Sequence, residues 1–216
     1  ENCTGCMDCV TECPDTAILG KVLSETEWEE KLKTIPEADR EMYRKQWSKT
    51  KKYYDAGKKK LGAGGMFQII IDPSKCKGCA ECVTVCDDDA LKMIAKTDAV
   101  MTQVRKSHRY FKNIGPSDSR YISDNLLVDM MLKEETHIYV GGAGSCAGCG
   151  EGTALRMLCA ATASKYGDQW GIVAATGCNT VYTSTYPYNP YLVPWTNSLF
   201  ENAPAYAIGV RMRWDQ

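Results

Sequence analysis

Two runs of four cysteines limit what this chain can fold into more than any other feature of it. Cys3, Cys6, Cys9 and Cys13 are spaced three, three and four residues apart, and Cys76, Cys79, Cys82 and Cys86 repeat that spacing 73 residues later. A run of this kind wraps three thiolates around one face of a cubane iron–sulfur cluster and sends the fourth to the cluster of the other run. One centre is therefore expected on Cys3, Cys6, Cys9 and Cys86, and a second on Cys76, Cys79, Cys82 and Cys13. Structural zinc is disfavoured, because zinc sites pair two short Cys-x-x-Cys hooks across a longer loop. Disulfides between thiols three residues apart would be strained.

The rest of the composition narrows the setting. Twelve cysteines gathered at metal spacings point to a reducing, oxygen-poor cytoplasm rather than a secreted disulfide scaffold. With 26 basic against 27 acidic residues, the chain lacks the electrostatic footprint of a nucleic-acid binder. It has no run of 18 apolar residues, so no membrane partner is expected, and no export signal opens it. Glu1 stands two residues before Cys3, and the end at Arg211–Gln216 carries no stop signal. A piece of a longer polypeptide, or a subunit seated in a larger assembly, is expected.

Along the chain, each cysteine run should lead into a short strand, Thr16–Leu19 in one half and Ala90–Ile94 in the other. Pro14 has no counterpart, since Asp87 follows Cys86. Between the halves, Ser24–Glu27 and Thr34–Glu37 read as capping boxes, the second opening a helix to about Ala56 with Gly57 as its stop. Tyr43, Trp47 and Tyr54 share one face of it. The lysines from Lys45 to Lys60 are either a solvated face or a docking surface for an acidic carrier. Met66–Ile71 should be a strand, as should Val100–Val104, and Asn125–Lys133 a helix. His108 and His137 are read as structural. The expected architecture is α+β: a ferredoxin-like domain over 1–100 with a helical insertion at about 21–65, a linker over 101–135, and part of an α/β domain over 136–216.

That last part changes character. His137–Val140 reads as a strand entering a glycine-rich turn with Cys146 and Cys149, a helix follows over Thr153–Ser164, and Trp170–Ala175 is a strand ending in Thr176–Gly177–Cys178. Three thiols at two strand ends could hold most of a third cluster, since ligands bind at strand ends in open α/β sheets. A Cys-x-x-Cys redox dithiol would need no distant third cysteine. Cys159 reads as a buried apolar residue.

Gly144–Glu151 (Gly-Ser-Cys-Ala-Gly-Cys-Gly-Glu), Ala175–Cys178 (Ala-Thr-Gly-Cys) and Pro194–Asn202 (Pro-Trp-Thr-Asn-Ser-Leu-Phe-Glu-Asn), in that order after two ferredoxin-type runs, resemble pyruvate:ferredoxin (flavodoxin) oxidoreductase over essentially the whole chain. The resemblance implies CoA-dependent oxidative decarboxylation of a 2-oxoacid. Its cofactors would be three [4Fe-4S] clusters and thiamine diphosphate with Mg2+, and its acceptor ferredoxin or flavodoxin. It also implies a homodimeric full enzyme. Carried over by position, Cys146, Cys149 and Cys178 match ligands of the third cluster. Glu151, Thr176, Gly177 and Cys178 match the thiamine diphosphate site, as does the loop around Asn197 and Glu201. The fourth ligand of the third cluster and the acidic metal-binding loop are absent from the 216 residues. No catalytic residue is assigned, and this chain by itself is expected to be inactive. A free-standing polyferredoxin-like carrier, or the same role in an enzyme for another 2-oxoacid, are the alternatives.

Overall fold

A computed structural model describes residues 2–141, 144–183 and 189–216; Gly142 and Ala143 of the glycine-rich turn lie outside them. The first cysteine run contains one helical turn, α1 (Asp8–Thr11), and leads into β1 (Ile18–Ser24). Ser24 caps α2 (Glu25–Lys33), with its Oγ accepting from Glu27 N–H at 3.3 Å and the Glu27 carboxylate accepting from Ser24 N–H at 3.2 Å. This is the capping box the sequence implied. The second box does not form. α3 (Glu37–Arg44) starts after Pro36 with no side-chain cap, and the Thr34 hydroxyl donates back to Lys31 O.

Nor does α3 run on to Ala56. The chain leaves the helix to lay β2 (Ser48–Lys49) opposite Phe67 and Met66, passes through a π-turn at Lys51–Asp55 capped by Thr50, and re-forms as α4 (Ala56–Leu61). The stop is Gly62, in the left-handed region at φ 75°, not Gly57. Pairing with β3 (Gly65–Ile71) offers the backbone of Ser48 and Lys49 hydrogen bonds that a continued helix would not improve on, so tertiary context overrides propensity. Tyr43, Trp47 and Tyr54 are nevertheless buried in one cluster with Leu23, Leu32 and Met66. Each large apolar side chain so buried contributes about 1.5–3 kcal/mol.

β1 and β3 pair antiparallel from Ile18 opposite Ile71 to Ser24 opposite Gly65, and β2 completes the sheet on the far side of β3. β1 thus begins two residues later than expected and runs longer. The second cysteine run contains its own helical turn, α5 (Glu81–Thr84). The strand expected at Ala90–Ile94 is not formed. Val100–Val104 is helical as well: Thr97 caps α6 (Asp98–Asn113), accepting from Val100 N–H, and Ser107, His108 and Phe111 form its buried face. The apolar helix expected at Asn125–Lys133 is a single turn, α7 (Leu127–Met130). The stretch 101–135, expected as a linker, supplies Tyr121, Met131 and Leu132 to the core around Val10, Val22 and Phe67.

After α7, the strand expected at His137–Val140 reduces to one antiparallel bridge between Tyr139 and Tyr191, with Val140 N–H donating to Pro190 O at 2.8 Å and Leu192 N–H to Ile138 O at 2.9 Å. α8 (Gly150–Tyr166) is followed by β4 (Ile172–Ala175), α9 (Cys178–Thr183), β5 (Trp195–Ser198) and α10 (Ala203–Trp214). β4 and β5 pair in parallel, Ile172 opposite Trp195 and Ala175 opposite Ser198. Ala160 and Met157 of α8 enter the core of the first half while Cys159 and Ala163 face the second. α8 is therefore shared by both. No helix among the described residues is long and apolar enough to cross a membrane.

Candidate metal centres

The two cysteine runs adopt one backbone conformation twice. Gly5, Met7 and Thr16 have positive φ (80°, 79° and 52°), and so do Gly78, Ala80 and Asp89 (77°, 69° and 51°), each 73 residues on. Met7, Thr16, Ala80 and Asp89 are the non-glycine residues found there among those described, a strain tolerated where the surrounding structure imposes it. Ala17 N–H donates to Cys13 Sγ and Ala90 N–H to Cys86 Sγ, both at 3.3 Å. Thr4 Oγ1 also donates to Asp88 Oδ2 at 2.6 Å, tying the start of the first run to the end of the second.

This repeated loop encloses two cavities. One, of about 20 Å³, is lined by Cys3, Cys6, Cys9 and Cys86 with Met7, Phe67, Ile69 and Leu91. The other, of about 40 Å³, is lined by Cys13, Cys76, Cys79 and Cys82 with Ile18, Ile71 and Met93. Each therefore takes three thiols from one run and the last thiol of the other. Among the described residues no three His, Cys, Asp or Glu side chains converge tightly enough to hold a single metal ion. Thiols that line an apolar space instead of meeting at a point do not suit one zinc ion, whose sulfurs all lie about 2.3 Å from the metal. They fit a cluster of several irons bridged by sulfide. Burial pushes the Cys9 thiol up to about 12, with the neighbouring Cys3, Cys6, Cys82 and Cys86 adding to it. Burial raises Cys3, Cys6 and Cys82 too.

The third group of thiols sits at helix starts. Cys149 is the N-cap of α8, its Sγ accepting from Gly152 N–H at 3.4 Å. Cys178 opens α9 at the end of β4, and Cys146 precedes Cys149 in an exposed turn. α9 lies against α8: Tyr182 OH donates to Glu151 Oε1 at 3.2 Å, and Gly144 packs on the backbone of Val181 and Tyr182. Burial, then the Glu151 carboxylate, raises the Tyr182 phenol, which keeps it a donor. At the neighbouring strand end Thr180 Oγ1 donates to Asn197 Oδ1 at 3.0 Å, and Thr176 Oγ1 to Ser198 O at 3.2 Å. The structure thus brings Thr176, Gly177, Cys178 and Asn197 to adjacent ends of two parallel strands, where such sheets bind ligands. Glu201 follows in a short turn, exposed.

The turn before α8 is fastened to the second cavity. Lys77, between Cys76 and Cys79, donates its Nζ to Ser145 O at 2.6 Å and to the Ser145 hydroxyl, and it pairs with Asp15 at 3.0 Å. Ser145 Oγ donates to Asp15 Oδ1 at 2.8 Å. Gly148 (φ 67°) lies so close to Glu81 that an added Cβ would stand 2.6 Å from its carboxylate.

Arg156 was missed in the sequence, although it is the single charged residue between Thr153 and Ala163. His108 and His137 take structural positions, Nε2 of the latter 3.0 Å from Met131 O. Of the lysines between Lys45 and Lys60, Lys45, Lys49 and Lys52 pair with Glu41, Glu25 and Asp129, and Lys58 lies over the Tyr54 ring. The larger open groove along α10, with Asn202, Tyr206, Val210 and Trp214, contains no thiol and no carboxylate.

Residues 2–90 match the family described as 4Fe-4S dicluster domain, so this part of the chain is similar to two-cluster iron–sulfur proteins. The whole chain is then similar to pyruvate-flavodoxin oxidoreductases. It is 29% identical to "Pyruvate-flavodoxin oxidoreductase" of Nostoc sp., over 99% of this chain and 17% of the relative. It is 26% identical to "Probable pyruvate-flavodoxin oxidoreductase" of Escherichia coli, over 100% of this chain and 18% of the relative. "Pyruvate synthase subunit PorB" of Pyrococcus furiosus is 43% identical over 34% of this chain and 24% of that subunit. Homologues of this kind along nearly the full chain, with the dicluster domain at its N-terminal side, fit an internal segment of a pyruvate-flavodoxin oxidoreductase. The chain spans less than a fifth of the length of the first two.

Proposed function

We propose that this chain is the electron-exit segment of a 2-oxoacid oxidoreductase that decarboxylates pyruvate with coenzyme A, and that it contributes one wall of the thiamine diphosphate site. The observation that carries the reading is the pair of cavities, each ringed by three thiols of one run and the fourth of the other. Cys3, Cys6, Cys9 and Cys86 would hold one cluster, Cys76, Cys79, Cys82 and Cys13 the next, and Cys146, Cys149 and Cys178 three corners of a third whose fourth ligand lies elsewhere. When bound, the clusters supply one-electron acceptor sites and thiamine diphosphate supplies the electron sink for decarboxylation.

The residues of this chain do the positioning. Left-handed residues in both runs turn backbone N–H groups toward the thiols, which favours the more negative state of a bound cluster. Glu151, held by Tyr182, would contact the cofactor away from its diphosphate, which a carboxylate would repel. Thr176, Gly177 and Asn197 form the floor at the two strand ends. Asp15, Lys77 and Ser145 hold the third thiol group against the second cavity, which sets the order third, second, first. The exit acceptor is ferredoxin or flavodoxin, and the remaining domains of a dimeric, cytoplasmic enzyme supply the substrate pocket and the Mg2+ loop.

Anaerobic reconstitution tests the reading. About eight irons per chain are expected on residues 2–90, with absorbance in the visible and loss of about half of the iron in Cys86→Ala. Stoichiometric zinc without cluster absorbance would overturn it.

A further inference from the structure

α8 carries one charge that its own half of the molecule does not use. Arg156 is 4% exposed. Its Nη1 donates to the carbonyls of Val10 and Cys13, the second at 3.0 Å, and its Nη2 to Ile18 O at 3.1 Å. All three acceptors lie in or just after the first cysteine run, more than 130 residues away in sequence. Among the described residues no carboxylate pairs with this guanidinium. The acceptor carbonyls include that of Cys13 itself and that of Val10, the residue after Cys9. Cys13 lines one cavity and Cys9 the other.

Burying a cation is strongly unfavourable unless an opposite charge answers it. Three carbonyls accept from it and neutralise nothing. A four-thiolate iron–sulfur centre is anionic and gains one more negative charge on reduction, and its potential follows the net charge around it. We propose that Arg156 is the shared counter-charge of the two four-thiol centres, and that it raises the reduction potential of both, more for the one that includes Cys13. The inference rests on the iron–sulfur reading above. α8 then serves two purposes, because the helix that begins at Cys149 delivers, two turns later, a fixed cation between the centres that would receive its electrons.

The test is an EPR-monitored redox titration of the iron-loaded chain and its Arg156→Met and Arg156→Lys variants. Arg156→Met should lower both midpoints, with at least a tenfold change in the reduction equilibrium of the Cys13 centre, which is 59 mV for one electron. The other centre should move less. Arg156→Lys, which keeps the charge, should stay within threefold of the parent. Unchanged midpoints in loaded Arg156→Met overturn the proposal. Loss of iron from Arg156→Met while Arg156→Lys loads and titrates like the parent supports it. Equal loss of iron from both makes the carbonyl clamp the whole role and overturns the tuning. A parent chain without any cluster would instead remove the iron–sulfur reading itself.

Discussion

Asp15→Ala cuts the join that would set electron transfer between the third thiol group and the second cavity. Asp15 is 4% exposed, accepts from Ser145 Oγ at 2.8 Å and pairs with Lys77 at 3.0 Å. A hydrogen bond to a charged group is worth about 1.5–3 kcal/mol. The Lys77 side chain keeps 27% of its exposure, so the ion pair adds only about 1 kcal/mol. The loss is then about 3 kcal/mol, roughly a hundredfold in the opening equilibrium of the turn before α8. Asp15→Asn keeps an acceptor for Ser145 and loses the charge, so it should cost about 1 kcal/mol, roughly fivefold. Amide hydrogen exchange at Gly152 and Thr153, whose N–H groups bond to Cys149 Sγ and Cys149 O, reads this opening directly. Exchange there should accelerate in proportion while the amides of β1 stay protected. Unchanged protection in Asp15→Ala, or equal loss in β1, would refute the reasoning.

Two further predictions concern the core. Lys21 is 1% exposed, donates to the carbonyls of Phe111 and Gly115, and pairs with Glu134 at 2.9 Å. Lys21→Met should fill the space yet leave those carbonyls unmet, costing about 2 kcal/mol by urea unfolding; an unchanged midpoint would show that the ammonium is dispensable. Cys159, 1% exposed and pushed up to about 12 by burial, is a neutral core residue. Cys159→Ala should cost about 1–2 kcal/mol and leave the iron content intact, and any loss of iron would assign this thiol to a centre.

Legibility differed by element for physical reasons. The Ser24–Glu27 box and the start of α8 could be read because a cap is a contact between residues three apart. Val100–Val104 was misread because β-branched residues suggest a strand, while their helical spacing with Ser107, His108 and Phe111 became visible only once α6 was seen to bury that face. The Thr97–Asp98 pair was the overlooked signal for its start. The break after Arg44 could not be read at all, since Ser48 and Lys49 leave the helix for an edge position beside β3.

The sequence by itself marked the two four-cysteine runs whose thiols line the two cavities, because such spacing is local and its 73-residue repeat can be counted. It also marked Cys146, Cys149 and Cys178 through their neighbours. Tertiary structure alone decided that Arg156 reaches back to the first run, that Asp15 and Lys77 hold Ser145, and that residues 101–135 belong to the core. Those contacts join residues up to 146 positions apart, and their partners are set by burial and hydrogen-bond geometry, which leave no periodic trace along a chain.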